Sequence, residues 1–245
     1  MPDYLIPLIG SLISFVAAVI AAFAGGGYVL MMFPLSLLLI PGSYAGHLAI
    51  VKMGALAITV LGGQLHFRKS SIKGKILIPL TIGGFIGTAI GTYLIQYHFN
   101  EDLFKTLLGF TMLIGAFYLI IRRELGHERA HRRKITPRVI AEILIYAMGI
   151  GVLNGLFGGV GLFTTLYLVF IFGLGFRTAI AYTMISYLMV NGTQTAYLVA
   201  TETIDPYLAL GLVIGAAIGG YLGVHLQYTK GSKYIKYVTI GLLLT

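Results

Sequence analysis

Apolar positions along this chain do not form the short, turn-bounded runs of a soluble core; uncharged stretches of roughly 20 residues, the length that crosses a bilayer, follow one another throughout. Taking the polar and glycine interruptions as boundaries predicts helices over 4–24, 28–40, 44–67, 75–97 and 102–121. A charged connector, RRELGHERAHRRK, follows. Further helices are predicted over 137–157, 161–172, 177–199 and 207–227, with a last one from Lys233 that is still apolar at Thr245.

Composition strengthens this pattern. Of 245 residues 58% are hydrophobic and only 10% charged, and the mean hydropathy of +0.91 lies far from that of a soluble domain. The chain reads as an integral membrane protein. Its opening, MPDY, lacks the cationic segment and small-residue cleavage site of a signal peptide and is read as the mature N-terminus. The absence of cysteine excludes disulfides, thiolate catalysis and thiolate metal sites.

The net charge of +9 becomes informative once the helices are made to alternate across a membrane. Fifteen of the seventeen Lys and Arg then fall on one face, Lys105 falls on the other and Lys52 lies inside a span. Lys and Arg are retained on the cytoplasmic side, so the connector is expected to be cytoplasmic and the N-terminus outside. The charge is therefore a topology signal. Contact of the connector with anionic lipid is expected, and nucleic-acid binding is not.

The chain also resembles itself. A shift of 132 residues places Gly26 and Gly27 on Gly158 and Gly159, Ala49 on Ala181, Gly83 on Gly215, Gly87 on Gly219 and Gly109 on Gly241, with no gap. Two copies of one unit follow: 1–121 and 137–245, joined by the basic connector 122–136. Each has a glycine-broken pair of short helices and three long ones, and that odd number of crossings turns the second copy upside down. The expected fold is thus an all-α polytopic membrane bundle of two inverted repeats, the architecture in which transporters place substrate near the midplane between discontinuous helices. The repeat also predicts that the last helix runs to about position 253.

Each copy breaks at glycines: AGGGY at 24–28, with Gly25, Gly26 and Gly27, and FGGVG at 157–161, with Gly158, Gly159 and Gly161. Two readings are open. The glycines either make a tight interfacial turn between two full crossings, or form the tip of a re-entrant pair inside the membrane. The following short helices favour the second, since a dozen residues span only about 20 Å of a ~30 Å core. Free N–H groups at a helix start in such a place make an anion site.

Polar residues inside the spans fall into stripes. Lys52, Thr59 and His66 recur by sevens on one helix, and Thr183, Tyr187, Asn191 and Gln194 are spaced by four, four and three on its counterpart. Both stripes are expected to face one cavity and not lipid. Lys52 either snorkels to the interface or serves as a fixed counter-charge for an anion. Asn154 either caps the broken pair or bonds substrate. Gly83, Gly87, Gly91 and Gly215, Gly219, Gly223 form two GxxxGxxxG series that let helix backbones approach.

AGGGY and NGLFGGVG (154–161), each leading through a short helix into a long one that begins PGSYAGHLAIVK (41–52) or GFRTAIAYTMIS (175–186), resemble the paired signatures of the TauE/SafE family of sulfite and organosulfonate exporters. The resemblance covers nearly the whole chain. It implies a plasma-membrane permease of bacteria or archaea that expels small sulfur oxyanions or sulfonates as a homodimer. The family pattern has Thr or Ser four residues beyond an Ala after the broken pair; Ala179 and Thr183 match it, whereas the first copy has Lys52 near that place.

The sequence thus points to a transporter of small sulfur-containing anions. The anion is expected between the two helix starts, held by backbone N–H groups and by Lys52, Thr59, Asn154, Thr183, Tyr187, Asn191 and Gln194. No cofactor or metal is expected: HExxH, GxxxxGK and metal-spaced His/Asp/Glu clusters are all missing from the sequence, which argues against an enzyme. An anion channel and an importer of related anions stay open as alternatives.

Overall fold

A computed structural model of the chain describes residues 5–39, 42–70, 72–98 and 134–230. Eight helices are described: α1 (Leu5–Ala24), α2 (Tyr28–Leu39), α3 (Tyr44–Lys69), α4 (Gly74–His98), α5 (Pro137–Phe157), α6 (Gly161–Phe172), α7 (Phe176–Thr201) and α8 (Pro206–Lys230). The expected helices 102–121 and from Lys233, and connector residues 122–133, lie outside the described residues. Five helices, α1, α3, α4, α5 and α8, are long and apolar enough to cross a membrane. α7 matches α3 in length with 26 residues. It is not among the five because polar residues lower its hydropathy; those from Thr183 through Ser186 and Asn191 to Thr195 are buried.

What faces outward is apolar. Leu8, Leu12 and Val16 on α1, Ile78, Ile82, Ile86 and Ile90 on α4, and Leu210, Ile214, Ile218 and Leu222 on α8 recur every fourth residue and are exposed. This is the reverse of a soluble bundle, whose exposed helix face is polar. The chain is an all-helical, multi-pass membrane protein.

Glycine spacing decides which helices touch. A methyl group at Gly83, Gly87 or Gly91 would lie 2.5, 2.0 or 2.2 Å from the carbonyl oxygens of Leu144, Met148 and Val152, so α4 and α5 run parallel with their backbones in contact. Gly215, Gly219 and Gly223 stand in the same relation to Ser11, Phe15 and Val19, at 2.1, 2.3 and 2.5 Å, which lays α8 parallel to α1. Both GxxxGxxxG series are therefore backbone-packing faces. α8 also runs parallel to α3, with Gly220 against Ile58 and Val224 against Gly62. α3 and α7 are antiparallel: Thr195 Oγ1 donates to the Lys52 carbonyl at one end, and Met184 lies against Gly62 at the other.

The two halves correspond helix by helix, with lengths of 20, 12, 26 and 25 residues against 21, 12, 26 and 25. One feature of the sequence comparison is corrected. α3 and α7, like α4 and α8, begin 132 residues apart, but α2 and α6 begin 133 apart. The first half carries one extra residue between its short and long helices. Gly25 and Gly26, and not Gly26 and Gly27, therefore occupy the places of Gly158 and Gly159.

At the start of α3, the Ser43 hydroxyl accepts a hydrogen bond from the Gly46 amide at 3.0 Å and donates one to Glu202 Oε2 at 2.9 Å. It caps the helix and ties it to the end of α7. Ser43→Ala is expected to cost about 1 kcal/mol, seen as a fall of a few degrees in the melting temperature.

Candidate functional site

Both chain breaks have left-handed glycine backbone. Gly25 (φ 89°), Gly26 (φ 151°) and Gly27 (φ 97°) link α1 to α2, and Gly158 (φ 79°) ends α5. Among the described residues no non-glycine residue has a positive φ. The carbonyls released at the breaks are not left bare. Gln227 Nε2 on α8 donates to the Ala22 and Phe23 carbonyls, and Gln194 Nε2 on α7 donates to the Gly155 carbonyl at 2.9 Å. Ala22 and Gly155 are each three residues before the first break glycine, so the same exposed carbonyl is satisfied in both halves by a glutamine from another helix.

The two breaks lie against each other. A methyl group at Gly26 would sit 2.6 Å from the Leu162 amide nitrogen, and one at Gly159 would sit 3.1 Å from the Leu30 amide nitrogen. The first turn of α6 thus abuts the first break, and the first turn of α2 abuts the second. No side chain caps α6. The Phe163 N–H donates to the Val160 carbonyl at 3.0 Å; the amides before it, with the helix dipole, give this junction a positive potential.

Beside the junction is a cavity of about 60 Å³. By volume it admits a handful of waters or one small oxyanion. Ten of the thirteen residues named from sequence line it: Gly25, Gly26, Gly27, Thr59, Gly158, Gly159, Gly161, Thr183, Tyr187 and Asn191. Tyr28, Ala55 and Ile58 complete much of the remaining wall and were not foreseen. Tyr28 is a clear omission. Ser14 Oγ donates to the Leu212 carbonyl at 2.7 Å, so the Tyr28 hydroxyl must be the donor in its own 2.7 Å bond to Ser14, and its ring packs over Gly54.

Lys52, Asn154 and Gln194 do not line the cavity; they stand behind its wall as a buried polar bridge. Lys52 is 0% exposed, and its Nζ donates to Asn191 Oδ1 at 3.0 Å and to Asn154 Oδ1 at 3.3 Å. The snorkelling reading is thereby overturned, because the amine points inward from a helix whose start is about 12 Å away. Asn154 Nδ2 in turn donates to Gln194 Oε1 at 3.4 Å and to Thr88 Oγ1 at 3.3 Å, and Thr88 donates to the Gly151 carbonyl at 3.1 Å. Asn154 therefore orients Lys52, and its carbonyl accepts the Gly158 amide at 2.8 Å that closes α5. Asn191 is the joint between bridge and cavity: its Oδ1 holds Lys52 while the residue also forms part of the cavity wall. Among the described residues the Lys52 amine meets only neutral acceptors.

The opposite wall is hydroxylic. Thr183 donates to the Ala179 carbonyl at 3.1 Å, one turn back. Thr165 Oγ1 is 3.0 Å from Thr183 Oγ1 and 3.2 Å from the Gly25 carbonyl, with one proton to serve either. Tyr187 and Thr164 are paired at 3.2 Å. Thr165 and Thr88 escaped the sequence reading. For Thr88 a signal existed, since Thr81, Thr88 and Thr92 share a helical face; Thr165 stands in an apolar short helix with no periodic mate. His66 belongs elsewhere: its Nδ1 pairs with the Tyr228 hydroxyl at 2.9 Å near the far end of α3.

Comparison with known proteins agrees with the geometry. Residues 11–245 match the family described as Sulfite exporter TauE/SafE. A protein of Haemophilus influenzae named "Probable membrane transporter protein" is 26% identical over 225 residues, covering 91% of this chain and 86% of its own length. "Probable membrane transporter protein YdhB" of Bacillus subtilis is 27% identical over 218 residues, 86% of each chain. No solved structure matches. A multi-pass bundle with a glycine-walled cavity at paired helix breaks, matched to that family over nearly all its length, is a transporter and not an enzyme; the chain belongs to the TauE/SafE sulfite exporter family.

Proposed function

We propose that the protein carries small sulfur oxyanions, sulfite or sulfonates, outward across the plasma membrane by alternating access, with the anion in the glycine-walled cavity. One observation carries this reading: Lys52 is fully buried on neutral amide acceptors, and one of them, Asn191, also borders the cavity. A buried cation held only by neutral groups costs several kcal/mol, and an anion in the adjoining cavity offsets that cost. The uncapped start of α6 adds N–H donors, and Thr183 and Asn191 supply directional polar groups. The cavity volume suits a compact anion of a few heavy atoms.

The two halves, 1–121 and 137–245, act in this proposal as inverted repeats about that site. Its support is the direction of the helices: α1, α3 and α8 are mutually parallel, α4 and α5 are parallel, and α3 opposes α7. Each half thus lends its fourth helix to pack on the first helix of the other. Rocking of one half against the other then exposes the junction to either side. In this proposal the basic connector 122–136 is cytoplasmic and the N-terminus outside, which the distribution of Lys and Arg supports. With the interior negative, an anion is driven out by roughly 2.3 kcal/mol per charge per 100 mV, so export needs no coupling ion.

The test is purified protein in sealed vesicles under a potential alone, with no proton or sodium gradient. Sulfite or a C2 sulfonate is expected to move with saturable kinetics, and in detergent to raise the melting temperature more than chloride does. Flux that rises without saturation and shows no anion preference would turn the assignment to a channel.

A further inference from the structure

A second cavity, about 230 Å³ in volume, lies between α4 and α7. It shares no wall residue with the glycine-walled cavity. The two are nevertheless connected through side chains. Asn191 borders the first; it holds Lys52, Lys52 holds Asn154, and Asn154 holds Gln194 and Thr88, both of which border the second. The polar bridge thus runs from the wall of one cavity to the wall of the other.

The described wall of the second chamber is largely apolar, with Phe85, Ala89, Tyr93, Val190 and Tyr197, and carries four polar side chains, Thr88, Thr92, Thr193 and Gln194. Besides Gln194 and Thr88, its wall includes Thr92, 7% exposed, whose hydroxyl oxygen is buried without a hydrogen-bond partner. A buried hydroxyl left unpaired is unfavourable, and an apolar occupant such as an acyl chain leaves it so. Water or an oxyanion satisfies it. The chamber is also displaced along the bundle: Thr92 lies about 27 Å by helical rise from the start of α4, and Gln194 the same from the start of α7. Those starts adjoin Lys73 and Arg177, and α7 ends at Thr201 beside Glu202. The chamber therefore lies toward the poorly basic face.

Building on the transport reading above, we propose that this chamber is the second compartment of the anion's route, a hydrated vestibule on the outer side, and that the bridge Asn191–Lys52–Asn154–Gln194 is the gate between the two. The amine of Lys52 exchanges one amide oxygen for an oxyanion in the first cavity. That exchange loosens Asn154 from Lys52 and, through it, the contacts to Gln194 and Thr88. In the vestibule the anion meets hydroxyl and amide groups, with no Lys or Arg in the described wall, and is held more weakly there than beside Lys52. Capture on one side of the gate and release on the other follow from that difference.

The absence of cysteine makes the test clean. Thr92→Cys and, as a second vestibule variant, Thr193→Cys are compared with Ile145→Cys on the exposed apolar flank, using external 2-sulfonatoethyl methanethiosulfonate, a membrane-impermeant anionic thiol reagent. Both vestibule variants are expected to react and to lose sulfonate flux on reaction, while Ile145→Cys stays unlabelled. Ala55→Cys in the first cavity is expected to react about tenfold faster when Gln194→Ala is added, because opening the gate raises the accessible population. Vestibule thiols as inert as Ile145→Cys, or labelled without loss of flux, would overturn the vestibule; an unchanged rate at Ala55→Cys would overturn the gate. Absence of flux in the unmodified parent would instead defeat the transport reading, and labelling at Thr92→Cys is measured independently of it.

Discussion

The Lys52→Met protein is expected to melt no lower than its parent and to lose the stabilisation that sulfite confers. Methionine nearly matches the lysine stem in volume, so the packing of α3 against Gly158 survives. What is removed is a cation in a site with no exposed surface and only amide oxygens for company, and replacing such a charge by an apolar group is commonly neutral or stabilising. Against this stands the loss of a donor to Asn154 and Asn191, about 1–3 kcal/mol for a buried acceptor that finds no substitute. Asn191 borders the cavity, where water takes over, so the deficit falls mainly on Asn154. The two effects roughly cancel in stability and do not cancel in binding. A charge-assisted contact to an anion is worth about 1.5–3 kcal/mol, so the affinity for sulfite should fall roughly ten- to hundredfold. Calorimetry on both proteins decides this. Unchanged sulfite affinity in a folded Lys52→Met protein would place the recognition of charge outside the bridge.

Much of this arrangement is legible in the sequence, for physical reasons that differ from residue to residue. Helix ends are marked where a glycine must take a left-handed backbone, as at Gly25 and Gly158, or where a polar residue caps, as at Ser43 and Thr136. The stripe on α7 is legible because a polar face within a span must turn inward, and Thr183, Tyr187 and Asn191 all reach the cavity. The fate of Lys52 is not legible. Its partners lie 102 and 139 residues away, and no local pattern distinguishes a lysine that snorkels from one that bridges two asparagines. The one-residue offset between the halves escaped because three glycines in a row let the shift be aligned in either register; only the helix starts resolve it. Tyr28 is expected only as the start of a short helix, yet an aromatic hydroxyl at a buried helix start needs a partner, which Ser14 provides.

The break glycines separate structure from function if they are replaced one at a time. Gly26→Ala is expected to lose both stability and transport. At Gly26 a Cβ lies 2.6 Å from the Leu162 amide nitrogen, a backbone atom that cannot swing aside, and its φ of 151° is strained for any other residue. Backbone strain alone costs about 1–3 kcal/mol, and forcing α6 away from the first break adds the cost of overpacking and opens the junction that holds the anion. Gly159→Ala should be milder, since Gly159 is not among the positive-φ glycines and its nearest backbone neighbour, the Leu30 amide nitrogen, is 3.1 Å away, although the buried Leu30 side chain at 2.5 Å must shift. Gly161→Ala is the decisive member of the series. Its nearest neighbours, Thr183 Cγ2 at 3.5 Å and Tyr187 Cε1 at 3.7 Å, are at ordinary contact distance, and alanine is a better helix former than glycine by up to about 1 kcal/mol. The protein should melt at the parent's temperature or above, yet the new methyl group lies against Thr183 and Tyr187, in the wall of a cavity of only about 60 Å³. A stable Gly161→Ala protein that binds sulfite as the parent does would mean that the glycines serve only to let the two breaks pack. A stable one that no longer binds it would place the anion at the start of α6, where the free N–H groups are.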